Sequence, residues 1–187
     1  LQPPGTFIKE LKVSSINKNQ PEHNQEHLKG KLAVGKIQEL IKIAPTCFFC
    51  TPGSPVETRP MSVRTVDDDG TLWFLSSSDS SLNRALPGSP SVTLYFQGST
   101  HSDFLYLLGN AEVLVDKAKL KELWEPMLKT WFTEGIDDPR ITIIKVKAKE
   151  GYYWDTKHGN TIAGIKMIVG ALIGVTLDDS IEGKLKV

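Results

Sequence analysis

Apolar residues in this chain come in short alternating or continuous runs, separated by clusters of Gly, Pro, Ser and Asp. That rhythm predicts strands and tight turns rather than a helical array. Residues 56–77 show it most clearly. Met61, Val63 and Thr65 alternate with Pro60, Ser62 and Arg64, which is the period of a strand buried on one face. Asp68-Asp69-Gly70 supplies a turn in which Asp tolerates, and Gly freely adopts, left-handed backbone. Leu72 to Leu75 then forms a continuous apolar strand that ends in the serine cluster Ser76-Ser77-Ser78-Asp79-Ser80-Ser81. The stretch reads as two strands of one hairpin.

The same reasoning carries along the chain. Residues 1–25 are polar and irregular and read as a flexible leader, with a single domain over 26–187. Ile37, Leu40, Ile41 and Ala44 make one stripe of a helix over 28–44, which Pro45 terminates. Residues 46–51 are a buried strand and 52–55 a turn. A short helix over 79–86 takes Asp79 or Ser80 as its N-cap. Strands follow at 91–96 and 101–116, with Gly109 predicting a bulge. Leu120, Leu123, Trp124, Met127 and Leu128 share the apolar face of a helix over 116–130 that Pro126 should kink. Residues 141–148 and 149–154 read as two strands, 162–174 as a helix, and 183–187 as a final edge strand. The fold class is therefore mainly β with flanking helices (α+β), an antiparallel meander closing into a barrel.

Composition narrows the functions. The chain has 187 residues, enough for one substantial core, and its formal net charge is zero. No basic block suggests a nucleic-acid partner, and no segment suggests association with a membrane. The first residues carry no secretory pattern. Two cysteines do not make a disulfide framework, and a cytoplasmic setting is expected. Cys47 and Cys50 form a C-x-x-C, but on a strand they point to opposite faces and read as packed small residues. His23 and His27 lack a partner that would complete a metal site. Asp155 and His158 invite an acid–base reading but have no nucleophile, and Asp137-Asp138-Pro139 reads as a turn.

One chemistry remains open. Arg59 and Arg64 offer planar forks suited to phosphate oxygens, and Ser76, Ser77 and Ser81 add hydroxyl donors. By themselves they read more simply as arginines in ion pairs and serines in a loop. Thr58-Arg59-Pro60-Met61, then Asp-Gly, then Leu72-Trp73-Phe74 and a serine-rich loop resembles the pyridoxamine 5'-phosphate oxidase-like superfamily, in its bacterial general stress protein branch. Residues 131–139 and Tyr152-Tyr153-Trp154-Asp155 extend the resemblance to roughly residues 30–180.

The resemblance implies an FMN-binding split β-barrel that acts as a homodimer. It implies that Arg59 contacts the flavin phosphate, that Pro60, Met61 and Ser62 run past the ring, and that Arg64 reaches phosphate. Phe74 and Leu75 take the place of the family's aromatic–hydroxyl pair, Leu82 that of a lysine and Phe104 that of a glutamine. Met61, Trp73 and Phe74 would wall the ring, while Trp131 either approaches across the dimer interface or packs, and Trp154, which has the same two readings, is better read as packing. The implied activity is that of a flavin-dependent oxidoreductase with a nicotinamide donor. Two alternatives stand beside it: a flavin-sequestering stress protein, and a split barrel that takes a deazaflavin or heme.

Overall fold

A computed structural model describes residues 24–52, 57–100, 102–157 and 179–187. The expected helix over 162–174, the turn at 53–55, His23, His158 and nearly all of the expected leader lie outside the described residues.

The described chain opens with the two-residue strand β1 (Leu28–Lys29) and helix α1 (Lys31–Ile43). Its stripe of Ala33, Ile37, Leu40 and Ile41 is buried against the sheet, and the helix stops at Ala44, just before Pro45. Strands β2 (Thr46–Thr51), β3 (Glu57–Ser62), β4 (Thr65–Val66) and β5 (Thr71–Ser77) follow. Helix α2 (Ser81–Ala85) leads to β6 (Ser91–Gln97) and β7 (Phe104–Leu114). Helix α3 (Lys117–Leu123) and two turns of 3-10 helix precede β8 (Ile141–Thr156) and β9 (Ser180–Lys186).

The pairings form a ring with an extension. β3 pairs β2, β2 pairs β6, β6 pairs β7 and β7 pairs β8, all antiparallel. The 16-residue β8 divides its second edge between two strands: Ile141 to Lys147 face β5, and Glu150 to Thr156 face β9. β5 returns through β4 toward β3 and closes the ring, whereas β9 leads outward to β1. This is the split barrel that the sequence predicts.

Three local expectations need correction. Residues 56–77 are not one hairpin, because β3 pairs β2 and only Thr65 and Val66 pair β5. The switch occurs at two residues: Val63 donates its N–H to the Pro45 carbonyl, and Arg64 donates to that of Trp73. The two strands expected over 141–154 are a single strand. Lys149 is the extra residue of a bulge opposite Leu108 and Gly109, so an outward lysine interrupts the apolar pattern without ending the ladder. Pro126 does more than kink its helix. α3 ends at Leu123 and a 3-10 turn begins at Pro126, leaving Met127 exposed instead of on the apolar face.

Two cores result. The larger fills the barrel with Phe49, Leu72, Phe74, Leu94, Leu107 and Ile144, and α1 packs against it. The smaller lies on the outer face of β5 and β8, where Leu120, Leu123 and Phe132 cover Ile141 and Ile143. β5 and the first half of β8 are thus buried on both faces, which explains their unbroken apolar runs.

The end of the chain is clamped by a backbone crossing. Glu26 donates its N–H to the Glu182 carbonyl, and the Tyr153 hydroxyl donates to the Glu26 carbonyl at 3.0 Å. A Cβ on Gly183 would stand 1.8 Å from that same carbonyl oxygen. Gly183→Ala should therefore destabilise the protein by about 1–3 kcal/mol in urea unfolding. Gly35→Ala, in an exposed helical position with open space around it, should stabilise by about 0.5–1 kcal/mol.

Candidate functional site

β3 positions the site through its free edge. It pairs β2 on one side, and among the described residues nothing pairs its other side along Glu57–Ser62. Backbone groups on an unpaired edge remain available to a ligand. Proline suits such a position, because it has no N–H to give to a ladder.

Facing this edge is the serine loop that leaves β5. Its shape is fixed by its own hydrogen bonds. Ser80 caps α2 by accepting from the Asn83 N–H at 3.2 Å. The Ser76 and Ser80 hydroxyls share a bond of 3.2 Å, and Ser77 donates to Asp79 at 2.6 Å. Underneath, the Asn83 amide donates to the Thr142 hydroxyl at 2.6 Å, and Thr142 donates to the Ser76 carbonyl at 3.0 Å. Arg59 spans the gap, its Nη2 donating to the Ser81 hydroxyl at 2.6 Å. A guanidinium and the Ser81 hydroxyl therefore meet at the end of the serine loop, which is chemistry suited to a phosphate.

The outward face of the same strands is an aromatic groove. Pro60 stands opposite Phe48, Phe48 opposite Tyr95, Tyr95 opposite Tyr106, and Tyr106 opposite Tyr152. The row crosses five strands, roughly 20 Å at about 4.8 Å per strand. Tyr95 and Tyr106 lie 6.2 Å apart between ring centroids, Tyr106 and Trp154 6.3 Å, and Tyr152 and Trp154 4.6 Å. Phe48 is 60% exposed and Tyr95 50%. Thr46, Phe48, Pro60, Tyr95, Gln97, Phe104, Tyr106 and Trp154 line a cavity of about 580 Å³. Ser62 adds a polar margin through a 3.1 Å bond between its hydroxyl and that of Thr46.

The other expected site residues are placed elsewhere. Arg64 turns away after the kink, and its Nη2 meets Glu125 at 2.5 Å. Trp73 faces α3: its indole donates to Asp67 at 2.7 Å, and the Lys119 ammonium lies 4.4 Å from its ring. Phe74 is fully buried in the barrel, edge-on to Phe49 at 5.5 Å. Leu75 packs in the smaller core, and Met61 packs partly buried against the larger one. Trp131 is 63% exposed. Leu82 is core, while Phe104 lines the groove.

The sequence points to Pro60 in this row and to Trp154 beside it, but not to Phe48, Tyr95, Tyr106 or Tyr152 as site residues. Each of its members sits at an outward position of its own strand, so a signal existed in the alternation. Bringing them together requires the register between strands, which alternation alone does not give. Asn83 and Thr142 carried no signal, since they act only by holding the serine loop.

Comparison with known proteins decides the family. The model of the family described as pyridoxamine 5'-phosphate oxidase like matches residues 33–178. The chain belongs to this family. A solved Jannaschia sp. CCS1 structure of the general stress protein 26 type has a TM-score of 0.70 at 19% identity, covering 82% of this chain and 97% of its own. A general stress FMN/FAD binding protein from Xanthomonas citri has a TM-score of 0.57 at 25% identity, covering 62% of this chain and 83% of its own. Protein bli-3 of Neurospora crassa is 26% identical over 105 residues, 51% of this chain and 50% of that protein. The chain thus spans about half the length of this curated relative.

Neither cysteine is placed for redox chemistry with the other. Cys47 is buried on the barrel side, where burial pushes its thiol up to about 12. Cys50 is partly exposed and accepts a hydrogen bond from the Thr58 hydroxyl at 3.3 Å. A thiol reagent at pH 8 should therefore label Cys50 in the native protein and reach Cys47 only on unfolding. Equal labelling rates would contradict the assigned faces of β2.

Proposed function

We propose that this chain is an FMN-binding member of the family, with the phosphate held at Arg59 and the serine loop and the ring lying along β3 in the aromatic groove. The observation that carries this reading is the contact between Arg59 and Ser81, made at the residue next to Pro60, which lines the groove. A ligand that lies over the free edge of β3 reaches both. The residues fit the group: a fixed cation and hydroxyls for the phosphate, an apolar cavity of about 580 Å³ for the ring, and strand-edge backbone for the polar margin of the ring.

Bound FMN would supply hydride and single-electron transfer. The chain's own contribution is to bind, orient and exclude water. Arg59 fixes the phosphate end, Asn83 and Thr142 keep the hydroxyls aimed at it, and Phe48, Tyr95 and Trp154 provide a dry wall. Arg64, held by Glu125, stands beyond the ring segment and is not needed for the phosphate.

The reading includes a homodimer. Aromatics on four neighbouring strands, with Phe48, Tyr95 and Trp154 exposed, make a larger apolar face than a soluble monomer usually shows. A second copy laid on it would cover the ends of the row and close the groove over the ring. In that dimer the exposed Trp131 of the partner subunit would complete the cover over the groove. The activity that follows is oxidation–reduction with a nicotinamide donor in the cytoplasm. Anaerobic bleaching of the bound flavin by NADH or NADPH separates this activity from simple flavin storage.

FMN should bind saturably in the micromolar range or tighter, followed by its absorbance shift. Arg59→Ala should weaken binding by about tenfold or more, as expected for loss of a charge-assisted hydrogen bond of about 1.5–3 kcal/mol. Unchanged affinity would remove Arg59 from the site. Sedimentation at micromolar concentration should give a dimer, and Phe48→Glu should shift it to monomer. A wild-type monomer would contradict the shared groove.

A further inference from the structure

The groove's rings are not only apolar. Tyr and Trp are the readily oxidised side chains, and here three of them form one chain of neighbours: Tyr95 to Tyr106 at 6.2 Å, then Tyr106 to Trp154 at 6.3 Å. Trp154 in turn contacts Tyr152 at 4.6 Å. These separations fall in the range of direct aromatic contact. Tyr95, Tyr106 and Trp154 all line the cavity, and Tyr95 is one strand from Phe48, which faces Pro60. Beyond the far end stands a carboxylate: Glu182 on β9 lies opposite Trp154, the ring next to Tyr152.

A cavity built only to exclude water would be served as well by Leu, Ile and Phe, which fill the barrel on the other side of the same strands. Tyrosines packed ring to ring, as Tyr95 and Tyr106 are, add something those residues lack, which is the ability to give up an electron.

We infer that Tyr95, Tyr106 and Trp154 form a one-electron relay that quenches a light-excited flavin bound in the groove. The inference rests on the flavin reading proposed above. One electron passes from the nearest aromatic ring to the excited flavin, and the resulting vacancy moves along Tyr95, Tyr106 and Trp154. The electron goes back to the ring it left, so no bond is formed or broken and no outside oxidant or reductant is consumed. The consequence is protective: the excited state is discharged within the protein before it can sensitise oxygen.

The test uses the full chain with FMN at saturating protein. Absorbance gives the bound fraction, and the fluorescence lifetime of the same sample gives the quenching. The comparison is a triple variant, Tyr95→Phe with Tyr106→Phe and Trp154→Phe, which keeps the apolar wall and removes the donors. The expected result is a bound flavin that is dark in the wild type and severalfold brighter in the variant at equal bound fraction. Transient absorption of an oxidised Trp or Tyr, seen only in the wild type, would add direct support. A bound flavin as bright as free FMN in the wild type, or one that stays dark in the triple variant, overturns the relay and leaves the binding site standing. No absorbance change at all overturns the flavin reading and the relay with it.

Discussion

A strand edge can satisfy one neighbour at a time, and β8 has three neighbours. Its first edge belongs to β7 throughout, while its second passes from β5 to β9 across the bulge at Lys149. That division makes the barrel split. The half of β8 that faces β5 closes the ring and is buried on both faces. The half that faces β9 leaves the ring and turns Tyr152 and Trp154 outward. With β8 committed in this way, β5 can return to β3 only through the two residues of β4, and Glu57–Ser62 is left with a free edge. Both halves of the candidate site follow from this arrangement: the edge beside the serine loop, and the aromatic face beside the edge.

The two faces of β3 and its neighbours therefore do different work. Inward residues such as Cys47, Phe49 and Leu94 are buried and fix the barrel. Outward residues such as Phe48 and Tyr95 are left for a ligand or a second copy. Arg59 lies in the inward alternation with Met61 and Val63, yet it stands where the barrel wall opens and so reaches Ser81 instead of the core. The ion pair of Lys36 with Asp155, at 3.0 Å, ties α1 to β8 and holds the helix against this frame.

Much of this was legible in the sequence because local chemistry dictates it. Ser80 caps its helix, Asp116 caps another through bonds to Ala118 and Lys119, and Gly70 takes the left-handed turn after Asp69. Partner choice was less legible. The run Leu72 to Leu75 is apolar because both faces of β5 are buried, and periodicity cannot say which face meets which core. Trp73 reads from the sequence as part of the flavin wall; in the fold its indole donates to Asp67 and its ring lies against the Lys119 ammonium. Arg64 matched by residue type, but the two backbone bonds at Val63 and Arg64 that redirect the chain depend on Pro45 and Trp73, distant in sequence. The aromatic row needed register across five strands, and register is a property of the whole sheet.

The central claim is that a flavin lies across the free edge of β3, between the serine loop and the aromatic groove. Amide hydrogen exchange with and without FMN tests it most directly, because it reports where the ligand protects the backbone without any substitution. The account predicts protection concentrated at residues 57–62 and 76–82, with a smaller effect on β2 and β6 beneath the groove. Protection confined to α3 and residues 126–139, with none on β3, would contradict it.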